Sequence, residues 1–153
     1  MLESPHVLVG AAIATKIGNP VLAIPLALGS HFIMDMVPHW NPHINREIKK
    51  YGKPTTISKS IIIFDSFFAL AAGSYIAYTL LPNTLLSATV LFSCFAAVLP
   101  DVIEIPYYFL NQKSNWAEKW ITWQKSIQND APLIPGVLTQ VIVMIAAVSW
   151  MLA

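Results

Sequence analysis

The chain has 153 residues, of which 56% are hydrophobic and only 11% charged, less than half the ~25% charged fraction of an ordinary soluble domain. That composition argues against a free-standing soluble protein, and the length fits a single membrane-embedded domain, 1–153. A net charge of +1 offers no basic field for a phosphate backbone, so nucleic acid is excluded as a partner.

The opening Met1-Leu2-Glu3-Ser4-Pro5-His6 lacks the cationic region and cleavage site of a signal peptide, so the whole chain is expected to be mature. Ser4 to Ile17 is predicted as a first helix, short for a full crossing. Gly18-Asn19-Pro20 ends it and opens the second, since Pro suits a first helical turn. A bilayer-crossing helix needs ~20 mostly apolar residues, and four segments approach or exceed that: Pro20 to Pro38, Ser60 to Leu81, Thr84 to Leu99 and Pro132 to Ala153. Pro82-Asn83 reads as the tight turn of a helical hairpin. The predicted fold is therefore all-α: a multi-pass transmembrane bundle of four to five membrane helices.

Two stretches are polar enough to lie in water, His39 to Lys59 and Asn111 to Asp130. They hold eight of the nine Lys and Arg, which places both on the cytoplasmic side of the cell membrane by the positive-inside rule. The Ser60 to Leu99 hairpin independently returns the chain to the face it left. Within the second stretch Trp116, Trp120 and Trp123 recur at i, i+4, i+7 with Lys119 and Lys125. This pattern predicts a short amphipathic helix, lying at headgroup level or packed on the rim of the bundle.

Four of the eight acidic residues, Asp35, Asp65, Asp101 and Glu104, fall inside or at the edge of apolar segments. A carboxylate there costs ~2.5–3.5 kcal/mol on insertion scales and calls for a partner. No Lys or Arg is placed to supply one, whereas His6 and His31 lie in the same segments, with His39 and His43 just beyond. Charge bias and connectivity bring His6, His31, Asp35, Asp65, Asp101 and Glu104 to one depth on the inner side. His31, Asp35 and His39 follow i, i+4, i+8, one stripe of a helix, but ~12 Å of rise separates its ends, too far for one ion to touch both. Asp101 and Glu104 follow i, i+3, again one face.

Imidazole nitrogen and carboxylate oxygen are the ligand set of zinc and, with more oxygen, of manganese or iron. One or two divalent ions among His6, His31, Asp35, Asp65 and Asp101 would offset the buried charge, with Glu104 as proton acceptor and His39 placed to orient a leaving group. Each residue also has a plainer role open to it. Asp101 suits a helix N-cap after Leu99-Pro100, Asp65 could bond a Ser or Tyr, and His31 with Asp35 could simply fix helix packing. Cys94 is the single cysteine, so a metal has no thiolate pair, and none of Ser30, Ser66, Ser93 and Cys94 has a His at a spacing that points to an activated nucleophile.

Pro5-His6-Val7-Leu8-Val9-Gly10, Leu28-Gly29-Ser30-His31 through Pro38-His39, and Leu99-Pro100-Asp101 with Glu104 resemble the bacterial and archaeal family of membrane-bound metal-dependent hydrolases. That resemblance implies His6, His31, Asp35 and Asp101 as metal ligands. His31-Phe32-Ile33-Met34-Asp35 followed by Pro38-His39 is locally similar to the His-x-x-x-Asp helix of zinc-dependent phospholipase C and related nucleases. Differences from that group, including Met1-Leu2 where it has an N-terminal Trp amine as ligand, point to one or two ions rather than three.

The expected function is hydrolysis, by metal-activated water, of a phosphoester or ester in an amphipathic, lipid-like substrate. Membrane lipid is thus the expected partner; the oligomeric state is not legible. Two alternatives use the same polar layer: a non-catalytic structural metal or polar staple, and an ion or proton relay. The relay ranks last, because few polar residues besides Lys16 and Asn83 lie towards the other face.

Overall fold

The structure is a computed structural model describing residues 1–153. It is all-helical, with eight helices: α1 (Glu3–Ile17), α2 (Pro20–Met36), α3 (Ile44–Tyr51), α4 (Thr56–Thr79), α5 (Thr84–Val102), α6 (Ile105–Phe109), α7 (Asn115–Ile127) and α8 (Leu133–Leu152). Their boundaries follow local chemistry. Asn19, Thr55, Asn83 and Ser114 each accept a backbone N–H in the first turn of α2, α4, α5 and α7. Gly18 and Gly52 close α1 and α3 in the left-handed conformation that glycine adopts without a Cβ penalty.

Three helices, α4, α5 and α8, are long and apolar enough to cross a membrane. The 17 residues of α2 and 15 of α1 give ~25 Å and ~22 Å of rise, short of the ~30 Å hydrocarbon core. Large apolar side chains project outward from the long helices, among them Ile63, Phe64, Phe67, Leu70, Ile134 and Ile142. Water would not tolerate so broad an apolar surface on a lone chain.

The centre of the bundle is α1, packed against α2, α4, α5 and α8. Its Ala11, Ala12 and Ala14 are fully buried, and a Cβ on Gly10 would stand 2.8 Å from the Ser93 carbonyl oxygen of α5. Small side chains let the helix axes approach, the usual device where no hydrophobic force separates helix from lipid. A helix buried on nearly all sides also has no polar face to display. The segment expected as a partial span is thus the core of the bundle.

Three expectations change. The stretch 39–59 carries a helix of its own, α3, whose Glu47 accepts from the Thr55 amide (2.8 Å) and the Ser58 hydroxyl (2.7 Å) and so ties it to the start of α4. The α2 stripe does not reach His39: the helix stops at Met36 and Val37 is extended, as the residue before Pro38 should be. The chain then doubles back, with the His39 N–H on the Asn129 carbonyl and Ala131 N–H on the His39 carbonyl. Finally α5 continues through Pro100 to Val102, so Asp101 is not an N-cap; Ile103 and Glu104 keep helical dihedrals into α6, with the Glu104 N–H on the Asp101 carbonyl, so the i, i+3 pair stays together across the helix end.

Candidate metal centre

Four elements bring their polar residues to one end of α1. His6 enters from the first turns of α1, His31 and Asp35 from the last turns of α2, Asp101 from the end of α5, and His39 from the turn after α2. His6, His31, Asp35 and His39 are all completely buried. The imidazoles of His6 and His31 stack with centroids 4.1 Å apart. His6, His31 and Asp101 each offer one donor atom within 4.8 Å of the others, a group that could hold a metal ion. Two ligand atoms at ~2.1 Å from a shared ion stand at most about 4.2 Å apart, so the trio is within a small side-chain rotation of ligation.

The protons decide what these atoms can do. His31 Nδ1–H donates to the Ala97 carbonyl at 2.7 Å, which commits its proton and leaves Nε2 as a bare lone pair. That lone pair faces Asp35 Oδ2 at 3.5 Å and Asp101 Oδ1 at 3.7 Å. His39 repeats the pattern: Nδ1–H donates to the Val37 carbonyl at 2.8 Å, and Nε2 stands 3.8 Å from Asp35 Oδ1. His6 is stranger still. Neither ring nitrogen has a hydrogen-bond partner, although Asp35 Oδ1 is 3.5 Å from Nε2. Lone pairs facing carboxylate oxygens repel unless a cation or proton lies between them, and an unpartnered buried polar atom costs ~1–3 kcal/mol. The donor set and its orphaned nitrogens fit a divalent ion.

Asp35 is the hub of the layer. It also accepts from the Met1 α-amino group and from Gln128 Nε2 at 3.1 Å. The amine is a cationic partner that a search confined to Lys and Arg passes over. Asp65 stands apart from the trio. Its carboxylate accepts from the backbone N–H groups of Glu3 (2.6 Å) and Ser4 (3.3 Å) and from the Ser4 hydroxyl, so it caps α1 from across the bundle. Leu2, at the N-cap position, has no side-chain acceptor of its own.

Glu104 lines a cavity of about 470 Å³ that also touches Glu3, Asp65 and Asp101. Partial burial, with the Asp101 charge added to it, raises its carboxyl to about 8. Burial holds the His39 imidazole below its ordinary value, which keeps it neutral. His43 lies beyond Pro42 at the N-terminus of α3 and makes no contact with the trio.

Two participants escaped the sequence reading. Gln124 of α7 is fully buried, with Nε2 donating to Asp101 Oδ1 and sitting 3.3 Å from His31 Nε2. Its amide thus bridges two of the three candidate ligands, while its Oε1 has no partner. The signal was present: Ala117, Ile121 and Gln124 form the buried stripe of α7, on which Gln124 is the one polar residue. The Trp face packs on the bundle as well, through Phe32 contacts to Trp120 and Trp123 and a Trp120 Nε1–H bond to the Pro100 carbonyl, while Trp116 stays exposed. Glu3 is the second, with a buried Oε2 that finds no partner.

No protein-family model, curated protein or solved structure matches this chain.

Proposed function

We propose that the chain is a membrane-embedded metal-dependent hydrolase, in line with the family its motifs resemble, acting on an ester or phosphoester of an amphipathic substrate. The observation that carries this is His6: a completely buried imidazole with both nitrogens unpartnered, stacked on a second imidazole whose lone-pair nitrogen faces two carboxylates beside the Gln124 amide. His6, His31 and Asp101 would hold the ion, zinc first by donor chemistry and manganese or iron if further oxygens join. When bound, such an ion supplies a hydroxide nucleophile near neutral pH and polarises a carbonyl or phosphoryl oxygen.

Every other role falls to the protein. Ala97 fixes the His31 tautomer, and Asp35 holds the imidazole layer in register from behind. Glu104 lines the cavity beside Asp101 as the group that takes the proton of the attacking water. His39 is buried away from the cavity lining, with its Nδ1–H on Val37 and its Nε2 beside Asn41 and Asp35, so it supports the polar layer and has no N–H left to orient a leaving group. Arg46 and the Trp face of α7 would sit at the membrane rim beside the substrate's polar head. By the positive-inside rule this rim is the cytoplasmic one.

A non-catalytic polar staple is the second reading. Gln124 favours it, because its amide already joins His31 to Asp101 without any ion. The test that separates them begins with elemental analysis of the purified protein beside His31→Ala and Asp101→Asn. The hydrolase reading expects stoichiometric metal in wild type and its loss in both variants, followed by turnover on a panel of phospholipids and soluble phosphoesters that Asp101→Asn abolishes. Equally negligible metal in all three proteins after chelator-free purification would remove its basis.

A further inference from the structure

The cavity beside the metal centre is not a closed chamber. From Asp101 and Gln124 it runs between α4 and α5 along the flank of α1. Its character changes along that path. At the loop end it is lined by Asp65, Glu104 and Arg46, and beyond them its walls are Val7, Ala69, Gly73, Cys94 and Val98. The space exists because α4 presents small residues to it. A Cβ on Gly73 would already touch Val7 and Cys94 at 3.2 and 3.3 Å. From Asp65 to Ser74, nine residues of helix give about 14 Å of length.

The outer lip consists of Leu70, Leu91 and Phe95, which are 69%, 46% and 53% exposed. All three stand on helices apolar enough to cross a membrane, so in a bilayer the mouth of the slot would open sideways into hydrocarbon rather than into water. Whatever fills it must come from the bilayer, be apolar along most of its length, and carry a polar group at the end next to Arg46 and Asp101. A soluble substrate meets none of these conditions. A fatty acyl chain ending in an ester or phosphate meets all of them.

We infer that the α4–α5 slot holds one acyl chain of a membrane lipid, admitted laterally between the two helices, with the lipid's polar linkage beside Asp101 and its anionic group beside Arg46. The inference rests on the hydrolase reading for its significance, since it names the substrate class as a bilayer lipid, but occupancy of the slot requires neither metal nor turnover. Leu70, Leu91 and Phe95 form the gate, and Ala69 and Gly73 set the bore.

The experiment reads bound lipid directly. The full chain is reconstituted into vesicles of phosphatidylethanolamine and phosphatidylglycerol, re-extracted in mild detergent with chelator present, and weighed by native mass spectrometry. Wild type is expected to retain one lipid. Ala69→Leu, which fills the bore with about three extra carbons, is expected to lower retention on the order of a hundredfold by displacing a matching length of buried chain. Ser74→Trp, at an exposed position lining the far end of the slot, narrows it there and keeps the test usable if Ala69→Leu misfolds; it should shift retention towards shorter chains. Phe67→Leu, on the outward face, should change nothing. Absence of lipid on wild type, or equal retention by wild type and both plugged variants, overturns the slot. Because the chelated wild type carries no ion, failure of the metal reading leaves this readout intact, and metal-dependent hydrolysis without retained lipid would sink the slot alone.

Discussion

Replacing His6 by Leu separates a metal ligand from a packing histidine, because the two roles predict opposite signs in the absence of metal. In the structure the His6 imidazole gives nothing to hydrogen bonding: both nitrogens are buried and unpartnered. At ~1–3 kcal/mol for each orphaned group, their removal outweighs the His6–His31 stack, worth ~0.5–1.5 kcal/mol. With chelator present, His6→Leu should therefore melt at or above wild type. Zinc at about a hundred times its dissociation constant stabilises a one-site protein by about 2.7 kcal/mol. For a chain of this length each kcal/mol moves the midpoint by about 2–4 °C, so wild type should gain roughly 5–11 °C. The variant should gain nothing. The assay is a thermal melt in detergent, with chelator and with zinc, on both proteins. Identical wild-type midpoints in the two buffers, with His6→Leu well below both, would show that His6 is a core residue and that the lone-pair argument fails.

Other consequences can be measured on the same preparations. Asp65→Ala strips the trans cap from α1 and should lower stability by about 1–3 kcal/mol while leaving metal content unchanged, checked by melting and elemental analysis. Gly136→Ala places a Cβ 2.6 Å from Trp40 Cβ and 2.8 Å from the His39 carbonyl carbon, so α8 should be pushed off the 39–41 turn at a cost of about 1–3 kcal/mol. Glu47 is held below its ordinary value first by the Thr55 amide and then by the Ser58 hydroxyl. A depressed carboxyl stabilises the fold above its unfolded value and loses that contribution as pH falls through the folded one. Hydrogen exchange at the Thr55 amide should thus quicken below about pH 4, and Glu47→Gln should make it fast and flat across pH. Glu104→Gln should lower turnover by about 10²- to 10⁴-fold without loss of metal.

Much of the fold could be read because helix punctuation is local. Asn19-Pro20, Pro82-Asn83 and Gly18 act through their own backbones, and the structure places breaks at each. The number of spans was harder, since α2 is as apolar as the spanning helices but shorter, and α1 is shorter still. What makes α1 a core helix is its run of Gly and Ala, a packing property that hydropathy does not measure. At the site, depth was legible from loop charge and connectivity, which is why His6, His31 and Asp101 could be grouped before their contacts were known. Direction was not. The helix ends at Met36 and Val37 is extended, so His39 leaves the helix to pair with the Asn129–Ala131 segment, yet its Nε2 still stands 3.8 Å from Asp35, the neighbour its i, i+4 spacing named. Asp65 and Asp35 look alike in sequence, yet one caps a helix 61 residues away and the other gathers three imidazoles.

Counting acids against missing Lys and Arg therefore gives the right neighbourhood for an incomplete reason. Asp35 does have a cation beside it, the Met1 amine, and Asp65 has backbone donors. Neither carboxylate by itself demands an ion. The demand comes from the nitrogens. In a layer held together only by hydrogen bonds, each neutral imidazole would spend its N–H on one neighbour and its lone pair on another, as protein interiors generally arrange. His31 and His39 meet that pattern, with N–H groups on carbonyls and lone pairs on side-chain amides at 3.3 Å, whereas neither nitrogen of His6 has a hydrogen-bond partner and its nearest carboxylate oxygen, on Asp35, stands 3.5 Å away. A divalent ion consumes lone pairs and contributes no donors, so it completes this pattern where an added hydrogen-bonding residue would need a different one. Gln124 then acquires a definite place: its amide bridges His31 and Asp101 much as an ion would, and it must swing aside for both to ligate.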